Sequence, residues 1–598
     1  VSKLHGNYRH VYICDALSSW LNISNEYDSD LDLVLTFDFA LVKYLDSKNA
    51  MYIDHLIDNK VMESENHNIY RFFESWHYDE NGNDLFNYKG VDFGISFRLE
   101  YWNDYTYIIR LILNMDALSS IESKKIIVCS NDKYVFSALD ILSLKYEVVK
   151  LRNDQENGGY YFPIAQWLDS KIRPNGFTYF KYKLRSIVGN LHSRVAHIFD
   201  KTINKNKKYI CIQQYHPTKP IINGMLKNKN IQVVKTNFNN VKDIINISDY
   251  RIIPEPIFNG AFGLEISEIL LNYNRGIHSR LILNNGLDIT SVVTSIINSR
   301  VESCIEDYVS SLNNYIRYVR NNQLDLHVII SNLGKNVTLL DCVCRAEGKP
   351  TFLIINGMLG PDYSDESKLA SHINCYSNSI KVNYFNNDDH VVCLGDPRMD
   401  AYYGLTNEIN YEQPVLVIGT SGFNSVDLNS YVAVEFDFMF DVLSAAERFG
   451  QFDKIIIKCR PNGYKKQYEK FVSEYFPNVD VKIVDNISMM DALRLSDFYV
   501  SIYSQTLIEA SSLGVPSLYY RKDNEFGAPP FDNKSELVTV DNIPDLLQAM
   551  IDFKSRDSRY DTFLDKNILE KYVGPLDGKS LERNVNYINM LIGANDAQ

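Results

Sequence analysis

Apolar runs of roughly four to eight residues recur along this chain, each closed by a polar turn and followed by a stretch whose apolar positions fall three or four apart. The runs predict buried strands, and the stretches between them predict amphipathic helices that cover a parallel sheet. Three blocks carry the rhythm. In the first, DLDLVLTFDFALVKYL and KKIIVCSNDKYVFSALDILSLKYEVVKL (124–151) read as strand and helix units, followed by the polar RNDQENGGYY and a helical, basic segment, FKYKLRSIVGNLHSRVAHIFDKTINKNKK. The second opens with KYICIQQYHPTKPIINGMLKNKNIQVVKTNF (208–238), repeats the unit in LHVIISNLGKNVTLLDCVCRAEGKPTFLIINGMLG (326–360), and closes with DDHVVCLGDPRMDAYYGL. After the polar TNEINYEQ, the third supplies PVLVIGTSGFNS, DKIIIKCRPNG, VDVKIVDN, DFYVSIYSQ, VPSLYY and ELVTV in order. These breaks predict an accessory α/β module over 1–200, α/β domains over 207–400 and 412–575, and a closing segment over 576–598.

Composition narrows the class. With 598 residues, 45% hydrophobic and 23% charged, the chain can bury several cores and is no disordered scaffold. The 61 Lys and Arg against 75 Asp and Glu leave a net charge of -14, which disfavours a nucleic-acid partner. Nine cysteines, odd in number and scattered, read as reduced thiols; Cys342 and Cys344 form an isolated C-x-C that reads as buried helix rather than zinc site. The N-terminal VSKLHGNYRHVYICDALSSW lacks a leader pattern, and no run reaches the length of a membrane span. A cytoplasmic location is expected, with peripheral contact at the inner face of the membrane left open by the generous aromatic content.

The candidate chemistry centres on SIYSQTLIEASSLGVPSLYY (501–520). Ligands of parallel sheets bind beyond the carboxyl ends of the strands, and here a strand ends in Ser504, Gln505 and Thr506, whose oxygens and neighbouring amides suit a phosphate. Glu509, three residues beyond Thr506, is placed to accept both hydroxyl hydrogens of a ribose. The same spacing also describes an ordinary capping box. Lys458 and Arg460 at the end of another strand add cations for a diphosphate. Gly419, Thr420, Ser421 and Gly422 form a turn of small residues that lets backbone approach a ligand closely.

From IIIKCRPNG through VKIVDNISMMDALRLSDFYVSIYSQTLIEASSLGVPSLYY, the chain resembles the donor-binding half of GT-B fold glycosyltransferases of bacterial surface polysaccharide (capsule or O-antigen) biosynthesis. The resemblance is most specific over 414–545, moderate over 208–400, and general before about 200. It implies two tandem Rossmann-like domains with an additional N-terminal α/β module. It implies Lys458, Arg460 and Asn462 near the donor phosphate, Ser504, Gln505 and Thr506 on phosphate, Glu509 on ribose, and the backbone of Asn486 to Ser488 near the base. GPLDGKSLERNVNYINMLI (574–592) resembles the segment that joins the two lobes. Arg460-Pro461 and Asn356-Gly357 stand where many relatives carry His-Pro and His-Gly, which leaves the donor class and the stereochemistry open.

The expected activity is metal-independent transfer of a sugar from a CMP- or UDP-linked donor to a glycan or lipid-linked glycan acceptor, with no resident cofactor. Inverting transfer needs a base near the acceptor hydroxyl. Glu255, held between prolines in RIIPEPIFNGAFGLE, is the first candidate, then Glu265 and His216; each also fits a solvated or backbone-satisfied side chain, and retention either needs no such base or uses a carboxylate as nucleophile. Two rival readings remain: a sugar-nucleotide epimerase or hydrolase on the same scaffold, and a non-catalytic binding subunit of a polysaccharide assembly complex.

Overall fold

The apolar runs pair side by side into three all-parallel sheets. The computed structural model describes residues 7–21, 23, 26–149, 176–202, 207–215, 218–236, 246, 249–253, 262–276, 279–321, 324–330, 334–356, 370–386, 388–422, 434–460, 464–502, 504–521 and 536–593. The first sheet holds β1 (Asn7–Cys14), β2 (Leu33–Thr36), β3 (Ala50–Tyr52), β6 (Glu122–Cys129) and β7 (Tyr146–Val148) in the order β3-β2-β1-β6-β7. Between its halves, β4 (Asn87–Tyr88) and β5 (Val91–Asp92) form a separate antiparallel hairpin.

The middle sheet runs β10-β9-β8-β11-β12-β13-β14, from β8 (Lys208–Ile212), β9 (Ile231–Lys235), β10 (Tyr250–Ile252), β11 (Leu326–Ile329), β12 (Thr351–Ile354), β13 (His372–Asn374) and β14 (Val391–Val392). The C-terminal sheet runs β17-β16-β15-β18-β19-β20, from β15 (Val415–Gly419), β16 (Lys454–Lys458), β17 (Val481–Val484), β18 (Phe498–Ser501), β19 (Ser517–Tyr520) and β20 (Val538–Val540). In each sheet the chain winds outward from a central strand and then resumes on its other side, the 3-2-1-4-5 order of doubly wound folds. The expected fold class, α/β with two tandem Rossmann-like sheets and an N-terminal α/β module, is the observed one.

Helices on both faces explain why β11, β12, β18 and β19 are buried along their whole length and read as continuous apolar runs. The cores do not follow the sequence blocks. One apolar cluster joins Val11 and Leu33 of the first sheet to Ile109 and Ile112 of the helix Gly94–Asp116, and continues into Val301 and Leu312 of the helix Thr290–Arg320 and Leu340 of the helix Lys335–Ala346. The first sheet therefore shares a core with the middle one. It also reaches the third: Phe39 is stacked between Tyr52 and Phe436, its ring centroid 3.5 Å from that of Phe436.

At the other end of the chain, Ile588 and Ile592 enter the middle sheet's cluster with Ile210, Ile221 and Met225. The helix Ser580–Leu591 thus lies on the middle sheet although it follows the C-terminal one. None of the nine cysteines forms a disulfide, and Cys342 and Cys344 are buried on one helix as expected. No helix of the described residues is long and apolar enough to cross a membrane.

Candidate functional site

β18 ends at Ser501, and the helix Thr506–Ser512 begins five residues later, at the carboxyl edge of the C-terminal sheet. Gln505 already has helical backbone angles and its side chain makes no cap; instead its Nε2 donates to Asp396 Oδ2 at 2.8 Å, a residue of the middle lobe. The Thr506 amide donates to Ser504 Oγ at 3.3 Å, and Thr506 Oγ1 lies 2.6 Å from the Tyr499 hydroxyl. One turn on, Glu509 is only 9% exposed, and one of its oxygens accepts from the Tyr402 hydroxyl at 2.7 Å.

The facing elements come from LGDPRMDAYYGL, just after β14. Gly395 has a left-handed backbone (φ +80°), and a β-carbon there would collide with the Ser580 hydroxyl, so the turn requires glycine. Asp396 is fully buried and takes the Arg398 guanidinium on both oxygens. Arg398 also donates to the Tyr376 hydroxyl at 3.0 Å and to Asn356 Oδ1 at 3.2 Å. Asp400 accepts from the amides of Ser580 and Leu581, tying the returning helix to the same turn.

Burial pushes the Glu509 carboxyl up, while the Arg398 charge and the Tyr402 hydrogen bond oppose the rise. Burial pulls the Arg398 guanidinium down, but Asp396 and Tyr376 more than offset this and leave it raised. The cation held against Asp396 thus also acts on the Glu509 carboxylate, whose protonation is set by residues of both lobes.

Lys458 is buried, its Nζ donating to the Cys459 carbonyl at 2.6 Å, and burial lowers its pKa. Arg460 is exposed and Asn462 lies outside the described residues. In the turn after β15, Thr420 Oγ1 donates to the Lys458 carbonyl at 3.1 Å, and both the amide and the hydroxyl of Ser421 donate to Glu435 Oε2, at 3.1 and 2.6 Å. Tyr468 binds the other oxygen of Glu435, which is fully buried and raised by that burial. A β-carbon at Gly419 would sit on the Tyr499 hydroxyl. The small residue there makes room for a neighbouring side chain, a different reason from the close ligand approach expected.

Among the catalytic candidates, Glu255 and His216 lie outside the described residues. Glu265 is exposed in the first turn of the helix Gly263–Gly276, and among the described residues no hydrogen bond links it to the Glu509 cluster. The elements do bring Gln505, Thr506 and Glu509 together with Asp396, Arg398 and Tyr402, three residues that sequence reasoning did not single out. Their signal was the Gly-Asp-Pro turn after an apolar strand, the same kind of strand end that marked Lys458. Glu435 carried no such signal, because its link to Ser421 is made only by the packing of its helix.

No protein-family model matches the chain, and no curated protein matches it. Among solved structures it is similar to S. aureus MnaA with UDP (13% identity over 65% of this chain and 97% of that one, TM-score 0.42). It is similar to UDP-GlcNAc 2-epimerase from Neisseria meningitidis bound to UDP-GlcNAc (13% identity, 64% and 100%, TM-score 0.42). A third is the calicheamicin glycosyltransferase (10% identity, 66% and 100%, TM-score 0.40). The strand orders, rather than these likenesses, carry the doubly wound reading of the sheets.

Proposed function

We propose that the junction of the middle and C-terminal sheets binds a nucleotide-activated sugar, and that the chain transfers the sugar to a growing surface glycan such as a capsule or O-antigen. The observation that supports this reading is the meeting of Gln505 and Glu509 with Asp396, Arg398 and Tyr402 beside the β15–β18 switch point of the C-terminal sheet. The Gln505 side-chain oxygen there is buried without a hydrogen-bond partner among the described residues. A ligand hydroxyl or N–H would satisfy it.

In this reading Glu509 accepts from the ribose hydroxyls, and Ser504, Thr506 and the backbone amide of Gln505, with Lys458, Arg460 and Asn462, hold the phosphates. Thr420 and Ser421 shape the neighbouring turn. The acceptor is activated from the middle lobe by Glu255, Glu265 or His216. Lys458 and Arg460 stabilise the departing nucleotide, and no step requires a metal.

The test is thermal stabilisation by UDP, CMP, GDP and TDP, repeated with Gln505→Ala and Glu509→Ala. A ligand specific to the native state adds about 2.7 kcal/mol at a hundredfold excess over its dissociation constant. One nucleotide that stabilises the wild type and neither variant is the expected result; no stabilisation by any of the four would overturn the reading. Release of free or epimerised sugar from the matching donor without acceptor would replace transfer by hydrolysis or epimerisation.

A further inference from the structure

The helix Gly176–Thr202 is turned inside out relative to a core helix. Among its described side chains (184–196 and 198–200) the buried positions are Ser186, Gly189, His192 and Ala196, all but one of them small. Five large apolar residues point to solvent, Leu184, Ile187, Leu191, Val195 and Ile198 being between 45% and 67% exposed, while Val188 and Phe199 are half-buried. Spacings of three, four, four and three residues put those five side chains on one face. At 1.5 Å per residue, the stripe is about 21 Å long. The opposite side of the helix rests on the edge strand β10, where Asp200 binds Arg251.

Charge decides what this stripe fits. Within the helix, Lys181, Lys183, Arg185, Arg194 and Lys201 stand against a single acidic residue, Asp200. Arg194 is exposed beside the stripe, and Arg185 is half-buried. The chain as a whole carries -14, so this positive helix contrasts with the rest of the molecule. A second copy docking about a twofold axis would set these cations against their own images. The stripe is also narrow: one helix wide, roughly 10 Å, it covers roughly 200 Å² against about 800 Å² per partner in a stable pair. A bilayer needs no matching surface, and anionic headgroups would neutralise the flanking cations while the apolar side chains enter the interface.

We propose that the helix Gly176–Thr202 is a membrane-docking element that lies along an anionic lipid surface through Leu184, Ile187, Leu191, Val195 and Ile198. The helix rests on β10, at the opposite edge of the middle sheet from β14 and the Asp396 turn, and the proposal holds whether or not the nucleotide reading does. With the sheets attached to it, the protein is then held at the bilayer through this helix.

The test is flotation of the full chain with vesicles of phosphatidylcholine containing about one-third phosphatidylglycerol, with pure phosphatidylcholine vesicles as comparison, and with an Ile187→Ser/Leu191→Ser double variant. Both substituted residues are exposed, so the unfolding temperature of the variant checks that the fold is intact. The expected result is association with the anionic vesicles that drops at least about tenfold in the variant. It also weakens between 0.1 M and 1 M salt, as the screening length falls from about 10 to about 3 Å. Absence of binding to anionic vesicles, equal binding by the folded variant, or equal binding to pure phosphatidylcholine would each overturn the proposal. So would light scattering that shows a wild-type dimer and a monomeric variant, since the stripe would then belong to a contact between copies.

Discussion

The Tyr402 hydroxyl donates to Glu509 across 2.7 Å, joining a turn of the middle lobe to the first turn of a helix in the C-terminal lobe. Glu509 is raised by burial and lowered by this bond and by Arg398. If ionised Glu509 binds ribose, nucleotide affinity falls as pH drops through its raised pKa. Tyr402→Phe removes one of the two lowering influences, so the loss should set in at higher pH, with affinity at neutral pH down by up to about tenfold. Calorimetric titrations of both proteins between pH 5 and 8 check this; superimposable pH profiles would remove Glu509 from the binding site.

Gly419→Ala should destabilise the C-terminal sheet. Its β-carbon would meet the Tyr499 hydroxyl and ring, and that hydroxyl is bonded to Thr506. A cost of about 1–3 kcal/mol is expected for such overpacking. Adding Tyr499→Phe should recover part of it, because the nearest clashing atom is gone; a double variant no more stable than Gly419→Ala alone would place the strain elsewhere.

His327 on β11 is fully buried, and neither ring nitrogen has a hydrogen-bond partner among the described residues. Burial lowers its pKa from 6.5 to about 3. Below pH 6.5 the unfolded chain gains a proton that the folded one does not, so stability falls as pH drops, until the folded form also titrates near pH 3. From pH 6.5 to 5 the loss is about 2 kcal/mol. His327→Leu should lack this contribution, and urea unfolding at the two pH values, wild type against variant, measures the difference.

Phe39 holds the N-terminal module against the C-terminal lobe. Its ring is nearly parallel to those of Tyr52 and Phe436, at interplanar angles of 5° and 4°, and nearby His55 Nε2 lies 2.8 Å from Asp437 Oδ2. Phe39→Ala should cost about 3–5 kcal/mol of stability. It should also speed limited proteolysis of the first sheet. Unchanged cleavage and unfolding would mean that the stack does not join the lobes.

The six strands of the C-terminal sheet were legible as six short apolar runs in the right order, and DLDLVLTFDFALVKYL divides as expected into β2 and the helix Phe39–Leu45. A strand covered by helices on both faces must be apolar at every position, and that demand is written locally. The grouping of Ser504, Gln505, Thr506 and Glu509 was legible for the same reason, since a strand end followed by a helix start is a local event. The roles were less so. The side-chain amide of Gln505 reaches Asp396, 109 residues away, a link no local reading carries, and Gly419 was read as space for a ligand, yet Tyr499 fills it.

The amino-acid sequence by itself determined the class of fold, the six strands of the C-terminal block in their order, and the turn where candidate chemistry gathers, because each follows from the period and composition of short windows; β1, β3 and β13 went unread. Only the tertiary structure decided that the first and middle blocks share one core, that Phe39 spans to Phe436, that Arg398 and Tyr402 stand opposite Glu509, and that the apolar face of the helix Gly176–Thr202 looks outward. Periodicity tells which residues share a face. Which way that face turns, and what meets it, depends on how distant elements pack, and no short window carries that information.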